Sequence, residues 1–136
     1  MKKVIRLIAT ILVVSIIVVA ANLLIEGVPL HGTPDAEKIE RVIVEHGSYP
    51  DETKEHTDAK YIELAVALLG YLRYSPLKGL TDDNQLIKIT YIMDDGTESV
   101  VSANEHTVWW NGKPHALSKE GTFVKMCTAV FFLQTD

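Results

Sequence analysis

The sequence predicts an α+β domain behind an N-terminal transmembrane helix or signal peptide, and three features carry that prediction. The uncharged run from Leu7 to Ile25 follows a short basic N-terminus; one stretch of helical period lies between stretches of strand period; and two hairpin turns are marked by Asp94-Asp95-Gly96 and Asn111-Gly112. The 136 residues divide into an anchor or signal over 1–26, a tether over 27–36 and a domain over 37–136. The order of elements expected in that domain is strand, helix, three or four antiparallel strands, helix.

Met1 to Arg6 carries Lys2, Lys3 and Arg6, and Leu7 to Ile25 (LIATILVVSIIVVAANLLI) carries no charge. At about 1.5 Å per residue this run reaches about 28 Å, close to the hydrocarbon thickness of a bilayer. Thr10, Ser15 and Asn22 are tolerable there because a helix satisfies its own backbone and hydroxyls bond back to it. The basic flank favours a cytoplasmic N-terminus, which makes the chain single-pass in the cytoplasmic membrane with its C-terminal domain outside. Secretion is the alternative, with Val19 and Ala21 at the −3 and −1 positions of a cleavage site. Leu23, Leu24 and Ile25 continue the apolar run past that site and favour an uncleaved anchor. No cysteine stands at the end of the run to accept a lipid, since Cys127 is the one cysteine in the chain.

Gly27 to Pro34 (GVPLHGTP) suits a short extended tether. Ile39 to His46 (IERVIVEH) is short and β-branched and reads as a strand, and Ser48 to Thr57, polar with Pro50, as a loop. Thr57 or Asp58 can cap a helix running to about Tyr74, with Tyr61, Ile62, Ala65, Leu68, Leu69 and Leu72 on one face and Pro76 beyond its end. Leu86 to Met93 and Glu98 to Asn104 form a hairpin in which Met93 meets Thr97 across a three-residue loop with Gly96 left-handed. That register sets Ile89 against Val101 and Ile87 against Ala103 and makes one face apolar. His106 to Trp110 and Lys113 to Leu117 form a second hairpin, whose returning strand belongs at an edge because Pro114 has no N–H. Ser118 to Gln134, with Phe123, Cys127, Val130 and Phe131 at helical spacing, is expected to be a helix capped by Ser118, although a buried strand fits its apolarity.

Thirteen Lys+Arg stand against 18 Asp+Glu, for a net charge of −5. Removing Lys2, Lys3, Arg6 and Glu26 from the counts leaves 10 basic and 17 acidic side chains, about −7, for residues 27–136. An acidic body argues against nucleic acid as a partner. The single cysteine excludes an intramolecular disulfide and a multi-cysteine zinc site. No nucleophile elbow, His-Glu-x-x-His, phosphate loop or dinucleotide fingerprint occurs, so neither an enzyme nor a cofactor is expected. In the second hairpin His106 and His115 fall on one face about 7–8 Å apart, but Glu105, the nearest third ligand, points the other way, so no metal site is expected. Asp82-Asp83 and Asp94-Asp95 lack the spacing of a calcium loop, and read as a solvated loop and as turn residues respectively. Cys127 lies in the most apolar stretch of the domain and reads as core.

The candidate binding residues are aromatic. Trp109 and Trp110 are consecutive on a strand and must point to opposite faces, so one of them can stand outside the core as a recognition surface. Lys113 faces Trp110 and can lie over its indole, and Tyr74, with Tyr71 and Arg73, offers a second surface at the helix end.

A short basic N-terminus, one apolar span and a small strand-helix-hairpin domain resemble the small membrane-anchored extracytoplasmic proteins common in Gram-positive bacteria. The segments AKYIELAVALLGYLRYSPLKGL, NQLIKITYIMDDGTE and TVWWNGKPHAL carry the likeness over about a third of the chain. The resemblance implies a cellular setting and an α+β fold, and it supplies no site residues. The expected function is that of a membrane-held binding or sensing module contacting an envelope or membrane protein through the hairpin. The alternatives are an accessory subunit of a larger membrane protein, using the small residues Ala9, Thr10, Ser15, Ala20 and Ala21 of its span, and an envelope hydrolase using His106 or His115.

Overall fold

A computed structural model describes residues 1–76, 79 and 84–132 of the chain. Helix α1 spans Lys2–Glu26 and is apolar on every side, with its large side chains from Val4 to Val19 all more than half exposed. It is long and apolar enough to cross a membrane, and a signal sequence has the same character. Thr10 and Ser15 donate their hydroxyls to the carbonyls of Arg6 and Ile11, each at 2.8 Å, which removes the cost of carrying them in an apolar helix.

The domain follows without slack. Strand β1 (Val28–Pro29) is succeeded by a short 3-10 turn (Ala36–Lys38), β2 (Ile39–His46), β3 (Tyr49–His56), α2 (Ala59–Gly70), β4 (Arg73–Tyr74), β5 (Ile87–Met93), β6 (Glu98–Ala103), β7 (Thr107–Trp110), β8 (Lys113–Ala116) and α3 (Thr122–Phe131). Six strands form one antiparallel sheet in the order β3-β2-β5-β6-β7-β8, and β1 pairs with β4 apart from it. Strand alternation sends Val42, Val44, Ile87, Ile89, Tyr91, Val101, Ala103 and Val108 to one face. There they are buried with Ile62, Ala65, Leu68 and Leu69 of α2 and with Phe123, Val124, Cys127 and Phe131 of α3. Both helices cover this face, as an α+β sheet with one apolar side requires.

Both hairpins take the expected registers. Met93 N–H donates to Thr97 O at 2.8 Å around a left-handed Gly96, and Ile89 faces Val101. Asn111 (φ 48°) and Gly112 (φ 87°) make the tight second turn with Trp110 opposite Lys113. Strand β8 is an edge of the sheet, as Pro114 demands.

Three expectations are corrected. Tyr49–His56 is a strand and not a loop: it is the other edge, paired only with β2, so Pro50 and its charges face solvent while its backbone completes the ladder. Helix α2 stops at Gly70 rather than near Tyr74, because Arg73 and Tyr74 leave to pair with Pro29 and Val28. The Arg73 guanidinium then donates to Gly70 O and Leu72 O, satisfying carbonyls at the helix end. Helix α3 is capped at a left-handed Gly121 and not at Ser118, whose N–H and hydroxyl both donate to Arg73 O. Asp82, Asp83 and Gln134 lie outside the described residues.

The segment 27–36 is extended, and it is also docked. Beyond the β1–β4 pairing, Leu30 is buried in the core and the Trp110 indole donates to His31 O at 2.9 Å.

Candidate functional site

The candidate residues separate onto the two sides of the sheet. Trp110, Lys113 and His115 share the helix-covered side at its β7–β8 end, where Trp110 is half-buried against the core and Lys113 is exposed. Tyr74 joins them: it pairs with Val28, bridges to Leu117, and lays its ring 4.3 Å from that of His115. Trp110 and Tyr74 therefore hold the 27–36 segment against the sheet.

Trp109 stands on the opposite side. There the register runs from Ile43 through Thr90 to Val100, and from Ser102 through Trp109 to Pro114. Ile43, Val100 and Trp109 are half-buried and belong to no part of the core, since neither helix reaches this face. Ile43 and Val100 carry no local sequence signal of binding, although they are the outward members of their strands' alternation. The terminal strands offer little further pairing. Ser75 N–H takes Ala116 O on the outer side of β8, Pro114 lacks a donor, and β3 is lined with Asp51, Glu52 and Glu55.

The histidines are dispersed. His106, expected to share a face with His115, contacts Glu120 at 3.3 Å, while His115 is taken up by Tyr74. His56 stacks on Tyr61 at 4.2 Å. Among the described residues no three His, Cys, Asp or Glu side chains converge on a metal-sized point. Cys127 is fully buried, and burial pushes its thiol well above the ordinary range, so it stays protonated and inert. Open depressions among the described residues include one of about 360 Å³ beside His46, Tyr49, Gln85 and Lys88 and one of about 270 Å³ beside Asn84, Asn104 and His106.

His46 is the one histidine built into the interior, 6% exposed. Thr128 donates its hydroxyl to Val124 O at 2.7 Å, so its oxygen is left to accept from His46 Nε2 at 3.0 Å. His46 Nδ1 in turn accepts the Ser48 N–H at 3.0 Å. The neutral Nε2–H tautomer satisfies all of these contacts, and a proton on Nδ1 would meet the Ser48 N–H head-on. Burial lowers the affinity of His46 for that proton, and the rings of His56 and His115 are lowered in the same direction by the same cause. With the folded state binding fewer protons than the unfolded one, this stability is fully present above the unfolded value of 6.5. It is lost as pH falls from there toward the lowered folded value. Urea midpoints are expected to drop between about pH 7 and pH 5, and His46→Gln is expected to flatten that slope. A slope identical to that of the unaltered chain would sink the assignment.

Comparison of the chain with protein-family models, with curated proteins and with solved structures gives no match.

Proposed function

We propose that the chain is a membrane-anchored, extracytoplasmic binding module that holds a polypeptide partner of the cell envelope on the helix-free face of its sheet, around Trp109. The observation that carries the reading is the partly exposed group of Ile43, Val100 and Trp109 on the side of the sheet opposite the core. An aromatic anchor flanked by aliphatic side chains is what recognition of a partner's apolar residues uses. The setting is supported by the three basic residues in the first turns of α1 and by the acidic body behind it. The resemblance to small anchored proteins of Gram-positive bacteria belongs to the same proposal.

A photo-crosslinking residue at position 109, compared with one at Glu52 on the far edge, tests this in cells. Adducts are expected at 109 alone. Trp109→Ala is expected to remove the partner while leaving the fold nearly intact. Trp110→Ala is expected to lower stability by about 2 kcal/mol, roughly half the value for a fully buried aromatic. A partner retained by a folded Trp109→Ala variant overturns the proposal.

A second reading rests on α1, of which Lys2–Asn22 is left uncovered by the domain. Ala9, Thr10, Ser15, Ala20 and Ala21 would then pack on the helix of a larger membrane protein. Exchange of α1 for an unrelated apolar helix abolishes function under this reading and preserves it under the first.

A further inference from the structure

We infer that the domain lies down on the membrane that holds α1, with the surface formed by the end of α2 and the start of α3 resting on anionic phospholipid headgroups. The inference depends on α1 being an uncleaved anchor, and it concerns a surface distinct from the Trp109 face.

The junction sets the height of the domain. Gly27 is the first residue after α1, and a methyl group placed on it would fall 2.6 Å from Ser118 Oγ and 2.8 Å from Arg73 Cβ. No free linker intervenes, because Val28 and Pro29 are already paired and Leu30 is buried. The apolar run of α1 ends at Ile25. Two residues advance a helix by only about 3 Å, less than the headgroup layer on either side of the hydrocarbon. Arg73 and Ser118 are thereby held at headgroup depth.

The residues found there suit that depth. Tyr71 is 70% exposed, and it is the one exposed large apolar side chain among the described residues outside α1. Arg73 and Lys119 line a shallow cleft with Tyr71, Thr122 and Met126, and its volume of about 30 Å³ admits no headgroup, so the contact is made by the rim. Lys125 follows Thr122 at helical spacing. Amphipathic aromatic rings and unpaired cations are what the membrane interface and its anionic lipids select. Arg41 and Lys88 on this acidic body are paired with Glu55 and Glu45, while Lys38, Lys54, Lys60 and Lys113 are, like the cations of this surface, without an ion pair among the described residues, so it is the junction that singles this surface out. Among the described residues Arg73, Lys119 and Lys125 have no carboxylate within ion-pair distance.

The test uses the full chain in vesicles of phosphatidylcholine alone and of phosphatidylcholine mixed with phosphatidylglycerol. Cys127 is buried and unreactive, so a fluorophore can be placed at Thr122→Cys or, as the distal control, at Glu52→Cys. Strand β3 lies five strands from β8, about 24 Å at normal strand spacing. In anionic vesicles acrylamide is expected to quench position 122 several-fold less than position 52, and the two are expected to converge in neutral vesicles or in high salt. Lys119→Gln and Lys125→Gln are each expected to lower the ratio of docked to undocked domain by roughly fivefold. Equal quenching at 122 and 52 in anionic vesicles, with α1 still resistant to carbonate extraction, overturns the docking and leaves the anchor standing. Protection at 122 that ignores lipid charge and both lysines overturns it too and assigns the cover to a second copy. Release of the chain by carbonate removes the anchored reading and the inference together.

Discussion

Tyr91→Ala is expected to lower the stability of the domain by about 3–5 kcal/mol, a large part of what a domain of this size possesses. Tyr91 is fully buried on β5, a central strand, and its hydroxyl donates to Ala65 O of α2 at 2.7 Å. Truncation removes the largest fully buried side chain and opens a cavity at the contact between helix and sheet. Tyr91→Phe retains the packing and leaves a helical carbonyl that the α2 ladder still serves, so its loss is expected to be about 1 kcal/mol. Burial holds the phenol well above its ordinary 10.0, and it therefore remains a donor when unfolded tyrosine has ionised. The unfolded state then binds fewer protons than the folded one, so stability falls as pH rises above 10.0, and Tyr91→Phe is expected to lessen that fall. Equilibrium urea unfolding of the three chains checks each statement. A Tyr91→Phe loss as large as that of Tyr91→Ala would mean that the hydrogen bond, and not the ring, dominates.

The parts of this fold legible in the sequence are those whose cause is local. The hairpins follow from turn residues that accept positive φ, at Gly96 and at Asn111-Gly112, and from alternation that allows one register to bury Ile87 and Ile89. Strand β2 occupies Ile39–His46, the span its β-branched run marks out. Strand β3 carries no such signal, because YPDETKEH faces solvent along an edge and contributes backbone rather than apolar side chains. The end of α2 was hidden for a different reason. Arg73 and Tyr74 pair with residues about 45 positions away, and no local propensity encodes that partner. The same holds for the bond from Trp110 to His31, 79 residues apart. Alternation requires Trp109 and Trp110 to diverge, but which of them faces outward depends on where α2 and α3 pack, and that is a property of the whole sheet.

Gly27→Val is expected to detach the 27–36 segment from the domain. Gly27 has φ +92°, a conformation in which a β-branched residue is a genuine outlier, and its Cβ would have to share space with Ser118 and Arg73. Neither neighbour can give way easily, because Ser118 is bonded to Arg73 O and the Arg73 guanidinium closes the end of α2. The strain cannot exceed what docking contributes, since the segment peels off once it does. Burial of Leu30 is worth about 1.5–3 kcal/mol and the short β1–β4 pairing about 1 more, so the expected loss is about 2–4 kcal/mol. The sheet, α2 and α3 do not depend on Gly27 and are expected to persist. Limited proteolysis should therefore cut within 28–36 first, and Trp110 emission should shift to the red as its indole loses His31. The same substitution separates the two causes of the proposed membrane docking. Lys119→Gln weakens the attraction and leaves the geometry, whereas Gly27→Val leaves the lysines and lengthens the leash. If the rigid junction is what brings Tyr71 and Arg73 to the headgroups, Gly27→Val alone exposes position 122 to acrylamide while α1 stays in the bilayer. If charge suffices, position 122 remains protected on a domain that is otherwise loose.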